Sequence, residues 1–323
     1  MNVVVTGAAG FLGKKLVSAL LKKGALRDAQ GTLQPVTRVV ACDIVPLSGI
    51  DDPRLVVTCG DLSDAAQLPG LLGDRPIDSL FHLAAVVSGQ AEQQFELGMK
   101  INVDLPRQLM EHLRHQPRRA RLITTSSVAV FGGALPEKVP DSQVWMPQSS
   151  YGTQKAITDL LLGDYSRKGF LDGRSLRMPT IVVRPGKPNA AASSFASGIL
   201  REPLNGEEAV CPVDVTTRLW LLSPNMAVAA LIHAHEISED SLTQGRVINM
   251  AGLCVTVETM LAALRRIAGD PVADRVRHQP DPAVRRIVNS WPGDFHAAYA
   301  HALGFQANRS IDEMIHEFIQ ETA

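Results

Sequence analysis

The stretch NVVVTGAAGFLGKKLVSALLKKG, residues 2–24, decides the fold. Val3, Val4 and Val5 form a β-branched run that reads as a buried strand. Gly7, Gly10 and Gly13 follow directly, and Leu12, Leu16, Ala19 and Leu20 then recur at helical spacing. A strand feeding a glycine turn that opens a helix is where a dinucleotide pyrophosphate sits, because the helix N-terminus presents unpaired N–H groups and the positive end of its dipole. The spacing here is GxxGxxG rather than GxGxxG. Its position directly after the first strand is what gives it weight.

Outward from that turn, the chain alternates strands and helices to about residue 186. The segment 25–38, ALRDAQGTLQPVTR, is polar and turn-rich, an inserted loop or small hairpin. The second strand, VTRVVACD, ends at Asp43. An acid at this strand end can accept hydrogen bonds from the adenosine ribose and repels the extra phosphate of NADP. It lies thirty residues past Gly13 instead of about 20, and the insertion accounts for the difference. Further strands are expected at RLVVTCGDLSD (54–64), DSLFHLAAVVSGQ (78–90), ARLITTSSVAVFGG (120–133) and RSLRMPTIVVRPG (174–186). Helices are expected at DAAQLPGLL, at 91–116 with a bend at Pro106, and at 151–169. This rhythm predicts an α/β fold: a doubly wound parallel sheet, Rossmann-like, over residues 1–186. GRVINMAG (245–252) is a strand able to return to that sheet, so 225–250 rejoins it, and 187–323 is otherwise a smaller, mainly substrate-binding C-terminal lobe. Within the lobe, 187–203 reads as a small-residue substrate loop and 209–224 as paired strands.

Composition excludes several classes. A net charge of −1 favours neither nucleic acid nor an anionic membrane, and no apolar run reaches membrane-spanning length. The first strand starts at once, leaving no space for a signal peptide. Cys42, Cys59, Cys211 and Cys254 are scattered, so they read as reduced, buried thiols of a cytoplasmic protein; neither they nor the histidines form a metal signature. His233 and His235 read as packing or surface residues.

Tyr151 and Lys155 stand one helical turn apart on a shared face. A neighbouring ammonium and an oxidised nicotinamide both favour the phenolate, making the phenol a base at neutral pH. Ser127, at the end of the preceding strand, can orient the substrate alcohol. The set reads as a site that removes an alcohol proton as hydride passes to a nicotinamide cofactor.

With these pieces in hand, the chain resembles the extended short-chain dehydrogenase/reductases, the epimerase/dehydratase-like branch, over nearly its whole length. The resemblance rests on TGAAGFLG, Asp43, Gly60-Asp61-Leu62, HLAA, Asn102, TSSVAVFG and Tyr151 through Lys155. It implies NAD as cofactor, held by Gly7, Gly10, Phe11, Leu12, Gly13, Asp43, Tyr151 and Lys155. It further implies Asp61 and Leu62 against adenine, Ala84 and Ala85 along the middle of the cofactor, and Pro179, Thr180 and Ile181 beside the carboxamide. Asn102 would sit by Lys155 and support a relay water, and a homodimer would form through the helices near 93–116 and 151–167. A narrower resemblance, to sugar-acid dehydrogenases, lies in FHLAAVVSGQAE, MPTIVVRPGKPNAAASSFASGIL and AVCPVDVTTRLWLLSP. It implies oxidation at carbon 2 of a four-carbon sugar acid to a 2-oxo acid.

The residues agree with that direction. Val128 and Ala129 follow Ser127 where dehydratases of this kind carry an Asp-Glu pair, so elimination lacks its acid and base. Arg184 and Lys187, with Asn189 and Ser193 on the same loop, and Arg218 are candidates to hold a carboxylate, and Ser88 is a candidate for a substrate hydroxyl. Two rivals stand beside this reading: an epimerase that keeps its NAD and returns the hydride, and a non-enzymatic NAD-sensing protein.

Overall fold

The computed structural model describes residues 1–188 and 191–322. In chain order the first half comprises β1 (Asn2–Thr6), α1 (Phe11–Lys23), β2 (Ala25–Arg27), β3 (Leu33–Pro35), β4 (Arg38–Asp43), β5 (Leu55–Cys59), α2 (Leu68–Leu72), β6 (Ser79–His82), α3 (Ser88–Gln93), α4 (Phe95–Met99), α5 (Leu105–Arg114), β7 (Arg121–Ser127) and α6 (Ser150–Arg167). The second half comprises β8 (Asp172–Met178), β9 (Thr180–Ile181), α7 (Ser194–Leu204), β10 (Ala209–Cys211), β11 (Arg218–Leu222), α8 (Pro224–Glu236), β12 (Val247–Asn249), β13 (Leu253–Thr256), α9 (Val257–Ala268), α10 (Asp270–Ala273), β14 (Val276–His278), α11 (Pro282–Val288), α12 (Ala298–Ala302) and α13 (Ile311–Thr322).

Seven strands form one parallel sheet in the order β12-β8-β7-β6-β1-β4-β5. The period-2 alternation of the strands sends their side chains to two separate cores. Val3, Val5, Val39, Ala41, Phe81 and Ile123 pack with Leu16, Val17 and Leu20 of α1 and Ala227, Val228 and Leu231 of α8. Val4, Val40, Cys42, Leu80 and Leu122 pack on the opposite face with Leu105, Leu109, Met110 and Leu113 of α5 and Leu162 of α6. From β1 the chain first winds outward through β4 and β5, then resumes on the other side at β6. The reversal opens a crevice at the C-terminal ends of β1 and β6, where ligands of such sheets bind.

The insertion is a hairpin, β2 pairing antiparallel with β3, and β12 does return to the main sheet beside β8. Three expectations for the remaining segments are corrected. β10 and β11 are strands but not partners: β10 pairs with β14, and β11 with β9 and β13. The small-residue stretch becomes helix from Ser194, whose apolar positions Ala196, Ile199 and Leu200 enter a third core with α9 and α13. Cys42 and Cys211 are buried but Cys59, at the exposed end of β5, is not; all four thiols are free.

At Pro106 the helical run changes its hydrogen-bonding pattern. A π-helical turn, Lys100–Asp104, precedes it, and Leu105 N–H donates to Lys100 O. Proline cannot supply the N–H that the carbonyl four residues earlier requires. That carbonyl belongs to Asn102, and the Thr158 hydroxyl of α6 donates to it instead, at 2.8 Å. His235 is a packing residue as expected, bonded to Ser79 Oγ at 2.6 Å and stacked on Phe81, while His233 meets the Leu303 carbonyl at 2.8 Å.

Candidate active site

A cleft of about 340 Å³ opens along the crevice, within the range of ~300–1,000 Å³ usual for small-molecule sites. Its floor is the glycine turn. Gly7 has φ +70°, and a Cβ there would lie 2.6 Å from Ala84 N; a Cβ on Gly13 would lie 2.0 Å from Gly7 O. Only glycine lets strand, turn and helix approach this closely. No side chain caps α1 at Gly10, so its first-turn N–H groups stand at the cleft uncapped, with Phe11, Leu12 and Gly13 in the wall. Asp43 Oδ2 accepts from Ala9 N at 2.9 Å and Oδ1 from Ile44 N at 2.7 Å, so the strand-end acid also pins the turn. Uncapped amides for a pyrophosphate and a carboxylate beside them for a ribose fit NAD.

Of the other residues expected at the cofactor, Ala85, Pro179, Thr180 and Ile181 line the cleft. Ala84 lies behind the lining, against Gly7. Asp61 and Leu62 follow β5 on the same sheet edge; Asp61 accepts from Ser63 N at 2.9 Å and lies 3.4 Å from Lys100 Nζ. Those bonds hold its carboxyl below the usual range, the Ser63 bonds most strongly.

The candidate reacting groups come together in the same cleft. β7 delivers Ser127 and α6 delivers Tyr151 and Lys155, and all three line the cleft. Ser149 caps α6 through Gly152 N at 3.2 Å, fixing the helix start two residues before the tyrosine. Lys155 Nζ donates to the Thr125 carbonyl at 2.8 Å and lies 5.6 Å from the Tyr151 ring centroid. Burial pushes the Lys155 ammonium down to about 8, and the Asp159 carboxylate one turn further along opposes that. Burial pushes the Tyr151 phenol up to about 12, opposed by the charge of Arg184 and by a hydrogen bond with the Ser127 side chain. The expected phenolate draws also on the positive charge of a bound nicotinamide, which would act in the same direction as Arg184. Among the protein's own groups, desolvation at Tyr151 outweighs the opposing charge of Arg184.

Asn102 is buried, but its side chain accepts from Val86 N at 2.9 Å and donates to Val86 O at 3.0 Å and Gln154 Oε1 at 2.8 Å. These bonds brace the loop at Val86, and among the described residues Asn102 makes no direct bond to Lys155.

The three expected cations separate. Arg184 lines the cleft, its Nε donating to Ile181 O at 3.2 Å and its Nη2 to Ser193 Oγ at 3.0 Å; Ser193 also lines the cleft. Burial lowers its guanidinium from the usual value, while Tyr151 opposes that shift. Ser88 lines the cleft and accepts from Ala192 N at 3.2 Å. Lys187 is exposed, and neither it nor Arg218 is among the described lining residues. Arg218 pairs with Glu137 at 2.9 Å and Asp294 at 3.0 Å and so is committed elsewhere. Asn189 lies outside the described residues.

Two contributors were missed in the sequence. Trp291 lines the cleft from the C-terminal lobe; an aromatic in the turn-forming stretch NSWPGDF is the signal that pointed to it. Asp159 is buried under the site and accepts from Ser126 Oγ at 2.9 Å, Ser175 Oγ at 2.6 Å and Arg177 Nε at 3.0 Å. An acid four residues after Lys155 within a buried helix face was its signal.

Residues 3–251 match the NAD dependent epimerase/dehydratase family. Two relatives bear the name D-erythronate dehydrogenase. That of Cupriavidus necator is 53% identical over 321 residues, covering 99% of this chain and 98% of the relative. That of Haemophilus influenzae is 43% identical over 321 residues, covering 99% of each. A solved structure described as the nucleoside-diphosphate-sugar epimerase from Agrobacterium tumefaciens superposes with a TM-score of 0.90 at 41% identity, covering 99% of this chain and 94% of that one. With a family match over residues 3–251 and two relatives at 53% and 43% identity along nearly the full length of both chains, the chain belongs to the NAD dependent epimerase/dehydratase family, the extended short-chain dehydrogenases/reductases.

Proposed function

We propose that this NAD-dependent dehydrogenase oxidises D-erythronate at carbon 2, giving 2-dehydro-D-erythronate. The observation that carries the reading is Arg184 lining the same cleft as Tyr151, with its Nη2 bonded to the cleft residue Ser193. A 2-hydroxy acid bears its carboxylate on the carbon next to the reacting alcohol. A cation beside the phenol therefore selects carbon 2, since the carboxylate docks on Arg184 while the adjacent hydroxyl meets Tyr151 and Ser127. Ser88 and Ser193 are available to the remaining hydroxyls.

NAD, when bound, supplies the hydride acceptor and a positive charge near the phenol. Ser127 orients the substrate hydroxyl, and Tyr151 Oη takes its proton. The ammonium of Lys155, held on the Thr125 carbonyl, favours the phenolate, and Arg184 does the same from the substrate side. Asp43 accepts from the adenosine ribose and disfavours a 2′-phosphate.

An epimerase reading draws on the Agrobacterium tumefaciens description. Two full-length relatives named for D-erythronate oxidation and the carboxylate-suited cation favour the dehydrogenase. Incubating the protein with D-erythronate and NAD is expected to yield NADH and a 2-oxo acid stoichiometrically. Interconversion of a sugar or sugar nucleotide without net NADH would establish the epimerase instead. Tyr151→Phe is expected to keep NAD affinity and lose at least ~100-fold in kcat; a fully active variant excludes the phenol as base.

The proposal extends to a cytoplasmic homodimer. Among the described residues no helix is long and apolar enough to cross a membrane. Phe95 and Leu160 are exposed on α4 and α6, the helices through which a second copy would dock.

A further inference from the structure

The segment after α11 carries Trp291 to the cleft, and the fold holds that segment firmly. Trp291 N–H donates to Val288 O at 3.1 Å. Val139 N–H donates to Asp294 O at 2.9 Å and His296 N–H to Val139 O at 3.0 Å, forming a bridge between Val139 and Phe295. Phe295 is buried, its ring 5.5 Å from Phe131 and 5.7 Å from Trp220 by centroids. A Cβ on Gly293 would lie 2.8 Å from the Arg218 Cβ, so the segment rests directly on β11. The Arg218 guanidinium then closes over it, bonding Asp294 at 3.0 Å.

Trp291 itself is half-buried. One side packs against the core of the C-terminal lobe. The rest lines the cleft together with Ser88, Arg184 and Ser193, and no other described lining residue lies C-terminal to Ser193. Filling the lobe core does not require a tryptophan exposed to a ligand cleft; a large, rigid ring there limits what the cleft admits.

We propose that Trp291 is the specificity-determining wall of the substrate end, setting the chain length of the acid, and that Arg218 is a positioning residue that keeps the wall in place. The proposal rests on the reading of Arg184 as carboxylate partner. With the carboxylate on Arg184 and carbon 2 at Tyr151, the position of the reacting carbon is set, and the chain beyond it extends until it meets the indole. A four-carbon acid has only two carbons to place there; each further carbon has to displace the ring.

The test compares full-length wild type, Trp291→Phe and Trp291→Ala at saturating NAD. The substrates are four-, five- and six-carbon aldonic acids of matching carbon-2 configuration, and kcat/KM is read for each. Trp291→Ala is expected to raise the six-carbon to four-carbon ratio by ~10-fold or more, the scale on which a pocket discriminates one methylene. Trp291→Phe is expected to fall between, and NAD affinity to stay constant. Arg218→Met, which releases the segment, is expected to move the ratio the same way, while Arg218→Lys largely restores it. A Trp291→Ala protein that binds NAD yet keeps the wild-type ratio within twofold overturns the proposal. So does an equal loss on all chain lengths, which marks Trp291 as merely structural. If wild type ignores four-carbon acids, the substrate reading fails separately, and the ratio across the homologous alcohols it does oxidise still decides the role of Trp291.

Discussion

Neutralising Asp159 tests whether a buried charge beneath the site keeps the tyrosine–lysine pair in its working proton arrangement. When the pair has lost one proton, two arrangements compete: phenolate with ammonium, which can accept the substrate proton, and phenol with neutral amine, which cannot. Such a pair titrates as a unit. Burial brings Lys155 down to about 8 even with the Asp159 carboxylate opposing it. The two residues are one helical turn apart, about 6 Å between Cβ atoms. At an effective dielectric of about 20, one unit charge at that distance contributes about 2.8 kcal/mol, or about two pK units. Greater separation of the charged ends halves this, so Asp159→Asn is expected to favour the inactive arrangement by ~10- to 100-fold. The measurement is kcat/KM across pH ~7–10 at saturating NAD, with NAD affinity and thermal unfolding as controls. The sign follows from the direction of the shift: losing the carboxylate lowers the lysine further, so ammonium is lost at a pH where wild type retains it. A variant that folds, binds NAD and matches the wild-type profile within twofold refutes the argument.

Three other outcomes follow from the same geometry. Asp43→Asn removes the charge yet leaves an oxygen for Ala9 N, so the NAD to NADP ratio of kcat/KM is expected to fall at least ~10-fold; an unchanged ratio excludes Asp43 as the discriminator. Arg184→Met is expected to raise KM for the acid at least ~10-fold, whereas Lys187→Met, at an exposed position, leaves it unchanged; the reverse pattern moves the carboxylate site. Asp172 is buried at the start of β8 among Arg121 at 2.8 Å, Arg174 at 2.9 Å and Arg246 at 2.6 Å, and despite burial these guanidiniums bring it down to about 2. Its contribution is therefore present above the ordinary carboxylate pKa and lost as pH falls through about 2. Asp172→Asn leaves those cations unneutralised and is expected to cost about 3–5 kcal/mol in denaturant unfolding at neutral pH.

The sequence alone carried the parallel sheet, the glycine turn and the tyrosine–lysine helix, because each is encoded locally. Strand alternation, helical period and the spacing from Tyr151 to Lys155 are properties of neighbouring residues, and the compulsory close approaches at Gly7 and Gly13 appear as glycines in the text of the chain. What stayed hidden depends on residues far apart. That β10 pairs with β14 rather than with β11 is settled by packing across the lobe. The local pattern of Asn102 says nothing of Val86 and Gln154, which its buried side chain bonds. Arg184, Lys187 and Arg218 look alike as letters, and only folding turns one to the cleft, leaves one in solvent and spends one on Asp294. The environment of Tyr151 belongs to the same class: its burial, which raises the phenol against the charge of Arg184, is a sum over the whole surrounding structure.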